Sequence, residues 1–142
     1  MYKRFIEYMK DFLDEDSSLD FWYDIASEDA SKLLLLFTDS DWLELVKELN
    51  SQPLEFKKKL AYCLDNVENA HQLKVLLLLT NTEDKELLEL CIDSLRGFMN
   101  NNNTIKLISQ NKVLIDDIKR ALPDVSIVTR KVYEDFLSKL EQ

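Results

Sequence analysis

Cys63 and His71 are the residues from which nucleophilic chemistry could be assembled, because a thiol that passes its proton to an imidazole becomes a strong nucleophile. His71 is the only histidine in the chain, and no third residue is marked out to orient it. The same pair falls two ligands short of a zinc site. The stretch DEDSSLD sets Asp14, Asp16, Ser18 and Asp20 at positions 1, 3, 5 and 7 of a calcium loop. Position 6 then holds Leu19 where the turn needs glycine, and position 12 holds Ile25 where a bidentate glutamate closes the shell. No metal site and no cofactor are expected. A single glycine, Gly97, excludes a glycine-rich phosphate cradle, and no two of the many carboxylates are singled out as an acid/base pair. The expected protein is not an enzyme.

Binding chemistry is better represented. Residues 11 to 29, DFLDEDSSLDFWYDIASED, hold eight carboxylates and four aromatics and no lysine or arginine. Like charges at that density repel one another unless cations approach from elsewhere in the fold or from a partner. The residues expected to meet a partner are Asp14, Glu15, Asp16, Asp20, Asp24, Glu28 and Asp29, with Trp22 or Tyr23 as an apolar anchor among the charges. Phe12, Phe21 and Trp22 also have the apolar neighbours of core residues, so Trp22 carries both readings. The bland alternative for the acids is a solvated connection between helices. The wider charge distribution agrees with a cationic partner. Of the net charge of −9, nearly all lies in residues 1 to 71, which hold 16 acids against 8 bases. Such a field repels nucleic acid and anionic membrane.

The elements that must position these residues are helices. One glycine and two prolines among abundant Leu, Glu, Lys and Asp argue for helices joined by short turns, and 142 residues suit a single domain. The longest apolar runs, Leu33 to Phe37 and Val75 to Leu79, have five residues, far below the roughly 20 needed to cross a bilayer. The N-terminus has no apolar core of a secretory signal, so a cytoplasmic protein is expected, with Cys63 and Cys91 as small buried thiols. Tyr2 to Leu13 places Phe5, Ile6, Met9, Phe12 and Leu13 on one helical face. A short helix over Leu19 to Ala26 follows, then one capped by Ser27 that ends in LLLLF. Ser51, Thr82 and Asn102 or Asn103 are the expected caps of later helices, with Pro53 in a first turn. The lysines at 57 to 59 read as the outer face of a helix.

From Asp41 the pattern repeats. Leu43, Val46 and Leu49 return as Leu73, Leu76 and Leu79 after 30 residues, and Phe56, Leu60 and Leu64 return as Leu87, Cys91 and Leu95 after 31. The two hairpins DWLELVKELNSQPLEFKKKLAYCLDN and HQLKVLLLLTNTEDKELLELCIDSLRGF resemble the short class of HEAT-like repeats. The third unit departs from that period, returning after about 27 residues. The resemblance implies an all-α chain of stacked antiparallel helical hairpins, an α-solenoid of eight to nine helices. Residues 1–40 would form acidic N-terminal helices, 41–122 the hairpin repeats, and 126–141 a capping helix with Val132, Phe136 and Leu140 inward. In profile, a small acidic helical-repeat chain without a catalytic constellation is similar to bacterial toxin-immunity proteins, including those of contact-dependent growth inhibition. That resemblance implies a cognate toxin, commonly a basic nuclease domain, neutralised by a tight complex. The alternative is a helical-repeat adaptor or regulatory subunit that mediates protein–protein interaction.

Overall fold

The computed structural model describes residues 1–13 and 21–141, and every regular element among them is helical. Nine α-helices are present among the described residues, in two compact units, Met1–Asn66 and Val67–Gln142. The division falls between the first and second of the expected hairpins. No described helix is long and apolar enough to cross a membrane.

In the first unit, α1 spans Tyr2–Lys10, α2 Ser27–Leu35, α3 Asp39–Glu48 and α4 Leu54–Cys63. A π-helical turn, Trp22–Ala26, runs straight into α2, with the Ser27 amide reaching back to the Trp22 carbonyl. The closest helix neighbours are α2 with α4, α1 with α2 and α1 with α3. Apolar residues at helical spacing explain this arrangement. Trp22, Ala26, Ala30 and Leu34 recur every four residues and all are buried. The small Ala26 and Ala30 let neighbouring side chains approach, while Phe5, Phe37, Trp42 and Phe56 supply bulk. Phe37 meets Phe5 at 5.5 Å and Trp42 at 4.9 Å, both edge to face, the geometry the ring quadrupoles favour.

In the second unit, α5 spans Ala70–Leu79, α6 Lys85–Arg96, α7 Asn102–Ser109, α8 Lys112–Ala121 and α9 Ile127–Leu140. Here α5 packs on α6, and α9 on both α6 and α7. Leu76, Leu87, Cys91, Leu95, Ile108, Ile118, Tyr133 and Phe136 are buried.

Several expectations are corrected in detail. Ser27 does not cap a helix: it sits inside a continuous helical run, and its hydroxyl donates to the Tyr23 carbonyl at 3.1 Å. Ser51 likewise donates to the Glu48 carbonyl, leaving Pro53 at the start of α4. The cap of α6 is Asp84, whose carboxylate accepts the Leu87 amide at 2.8 Å, and Thr82 instead accepts the Asp84 amide. Asn101 rather than Asn102 or Asn103 caps α7. At α6 and α7 the residue with extended backbone immediately before the first turn takes the role, since there a side-chain oxygen can reach the free amides. Helix α1 stops at Lys10, short of Phe12 and Leu13.

The run LLLLF is covered on one side only, with Leu34 buried and Leu35 and Leu36 exposed. The buried face of α3 is Trp42 and Leu45, continued by Leu49 in the 3-10 turn that follows, and Leu43 is 66% exposed, so its alignment with the buried Leu73 does not hold in burial. Phe56, Leu60 and Leu64 match Leu87, Cys91 and Leu95 in full burial. The inward face of α9 is led by Tyr133 and Leu137 with Phe136 and Leu140, while Val132 is half-buried.

Candidate functional site

The chain leaves α4 abruptly. Leu64 has φ −85° and ψ 74°, and the Asp65 amide donates to the Cys63 carbonyl at 3.0 Å, which is an inverse γ-turn. That carbonyl accepts a second hydrogen bond, from the Ser31 hydroxyl of α2 at 3.2 Å. One turn back along α2, the Ser27 carbonyl accepts the Cys63 thiol at 3.8 Å. These contacts fix the end of α4 against the first two turns of α2. The turn then carries Asp65 alongside Ser31 and Glu28.

A cleft of about 380 Å³ opens at this junction. Tyr23 and Tyr62 stand in it edge to face, their centroids 4.7 Å apart and their planes at 71°. Ser27 and Ser31 also line it, with Glu28, Lys32 and Asp65 supplying two negative charges and one positive. Tyr23 belongs to the π-helical turn, a local widening that recurs at functional sites.

Of the residues expected to meet a partner, Asp14, Glu15, Asp16 and Asp20 lie outside the described residues, as does Ser18 of the calcium-like spacing. Tyr23 and Glu28 are brought together in the cleft. Asp24 and Asp29 are exposed and do not line it. Asp29 lies near Tyr8, whose hydroxyl donates to the Ala26 carbonyl at 3.1 Å and whose pKa is raised, first by burial and then by that carboxylate. Trp22 is withdrawn as a surface anchor: it is 1% exposed, because the stripe it begins faces the core, and its ring contacts Phe12 at 5.3 Å. Phe21, expected in the core, is 48% exposed and stacks on Phe12 at 6.1 Å. Tyr62, Asp65, Ser31 and Lys32 carried no signal as site residues. Tyr62 lies 39 positions from Tyr23, and only the meeting of α2 with α4 joins them.

The cysteines are poor nucleophiles in this setting. Burial pushes the Cys63 thiol well above its ordinary range, and the Asp65 charge adds to the effect, with Ser31 partly offsetting it. Burial alone pushes Cys91 up to about 12. A thiol held protonated at neutral pH lacks the thiolate that attacks. Both are free cysteines.

A larger cavity, about 530 Å³, lies in the second unit and is lined by Asn69, Asn100, Asn101 and Asn103 with Leu73 and Phe98. Two of those amides already have work: Asn69 and Asn101 accept backbone amides at the starts of α5 and α7. The smaller cleft is the stronger candidate because it joins aromatic rings to ionised groups. Comparison with known protein families, with characterised proteins and with solved structures finds no match to this chain.

Proposed function

We propose that the chain is a binding protein that receives a cationic protein partner on its first unit. In its most specific form the reading is an immunity protein that neutralises a toxin domain of basic-nuclease type in a tight complex. The observation that carries it is the cleft, where Glu28 and Asp65 flank the Tyr23–Tyr62 pair. Aromatic side chains offer rigid contact area at small entropic cost, and carboxylates beside them select for positive charge. The excess of acids over residues 1 to 71 extends that preference beyond contact distance and would speed encounter with a basic groove built for phosphate.

The scaffold suits the role. Within the second unit the packing of α5 on α6 supports a helical hairpin of the HEAT-like kind, and Phe56, Leu60 and Leu64 match Leu87, Cys91 and Leu95 in burial. The test is a nuclease assay of any toxin domain found encoded beside this chain's gene. Equimolar addition should abolish cleavage, and an Asp65→Lys variant should need a clear excess to do so. Cleavage at an unchanged rate with wild-type chain in excess contradicts the reading.

A further inference from the structure

Resting on the reading of the cleft as a partner site, we propose that it is a pocket for an arginine side chain, whose guanidinium lies against the Tyr23–Tyr62 pair and pairs with Glu28 and Asp65. The partner's contribution at this site is then one protruding arginine.

The hydrogen-bonding character of the walls points to such a guest. The Ser27 hydroxyl donates to the Tyr23 carbonyl at 3.1 Å and the Ser31 hydroxyl to the Cys63 carbonyl at 3.2 Å. A carbonyl oxygen can only accept, so each hydroxyl has committed its single proton to the backbone, and its oxygen offers lone pairs alone. Both serines are among the residues lining the cleft, as are Glu28 and Asp65, whose carboxylates are acceptors when ionised. The donors in the lining are the Lys32 ammonium and the two tyrosine hydroxyls, and with Lys32 swung aside the carboxylates and serine oxygens suit a guest with many donors. Guanidinium carries five N–H donors in one plane, keeps its charge at any physiological pH, and stacks on aromatic faces. Ammonium has three donors on a compact, strongly hydrated centre, so it would use fewer of these acceptors and lose more hydration on entry.

Lys32 is the one cation among the lining residues. It leaves the cleft with a net charge of one negative in the absence of a guest, and it is exposed, on a long flexible stem that can swing aside. Its ammonium therefore competes with the guest for the same carboxylates.

The test uses N-acetyl-arginine amide as the probe on the full chain, with the ring resonances of Tyr23 and Tyr62 followed by NMR. Saturable shifts at both rings are expected, together with weaker binding of N-acetyl-lysine amide and none of N-acetyl-citrulline amide, the uncharged near-isostere. Asp65→Asn and Tyr62→Leu, both at exposed positions, should each lower the arginine affinity about tenfold, and Lys32→Met should raise it. Citrulline binding as well as arginine, lysine binding as well as arginine, or arginine affinity unmoved in both variants would each overturn the proposal. Unchanged circular dichroism in the variants excludes loss of the fold as the cause. The probe needs no partner, so absent arginine binding removes the pocket while the nuclease assay still decides the partner reading. Failed nuclease inhibition, conversely, leaves a bound arginine standing.

Discussion

The Ser31 hydroxyl lies 3.2 Å from the Cys63 carbonyl oxygen and ties α2 to the last residue of α4 across 32 positions of sequence. The same oxygen accepts the Asp65 amide, so the turn that carries Asp65 is anchored at the point where the two helices meet. Ser31→Ala should cost about 1 kcal/mol in urea unfolding, the usual net worth of one such bond, because the carbonyl retains its other donor. The same variant should broaden the Asp65 amide resonance. A cost above about 3 kcal/mol would mean that Ser31 does more than this bond.

Asp41 makes acid stability sensitive to one carboxylate. It accepts the Thr38 amide at 2.9 Å in a capping box and the Tyr2 amide at 3.1 Å, and its pKa is lowered chiefly by the Thr38 backbone bond. A depressed carboxyl contributes stability that is fully present above the unfolded pKa, about 4, and is lost as pH falls through the folded value. Wild-type protein should thus lose stability below about pH 4, and Asp41→Asn should show a shallower acid limb. Identical pH profiles for the two proteins would refute the assignment.

Both thiols should be silent in the folded protein. With Cys63 and Cys91 buried and their pKa values raised, a disulfide reagent at pH 8 should label neither faster than the chain opens, and both at once in urea. Rapid stoichiometric labelling in native buffer would contradict the burial.

The corrected face of α3 gives a paired test. Leu45→Ala should cost about 2 to 5 kcal/mol by leaving a cavity, whereas Leu43→Ala, at an exposed position, should fall within about 0.5 kcal/mol of wild type. Equal costs would restore the repeat alignment that places Leu43 inside.

Helical periodicity carries the fold class and most of the core in the sequence, because buried positions three and four apart leave their mark on residue type. Phe5, Met9, Leu60, Leu64, Leu76, Leu87, Cys91 and Leu95 all read correctly as buried on that basis. Leu43 did not, since a leucine outside the core resembles one inside, and the neighbouring Trp42 fits an equally good stripe. Caps were misplaced by one or two residues wherever several polar side chains stood together, as in Asn100 to Asn103. In the candidate site, Tyr23 and Glu28 were legible from the acidic and aromatic composition of their segment. Tyr62 and Asp65 were not, because a contact between helices 39 residues apart leaves no local pattern. Trp22 carried two readings, and only its place in the Trp22, Ala26, Ala30, Leu34 stripe decides for the core.

The most direct measurement is the association rate of the proposed toxin partner with wild-type chain and with a Glu28→Lys, Asp65→Lys double variant, at low and at moderate salt. Dissociation followed in parallel with Tyr62→Leu separates anchoring from attraction, since loss of an aromatic contact acts after encounter. For a cleft that receives a cationic partner, wild-type association should slow as salt rises, and the double variant should associate about tenfold more slowly at low salt with its fold intact. Association of the double variant at the wild-type rate at low salt would contradict a cationic partner at this cleft.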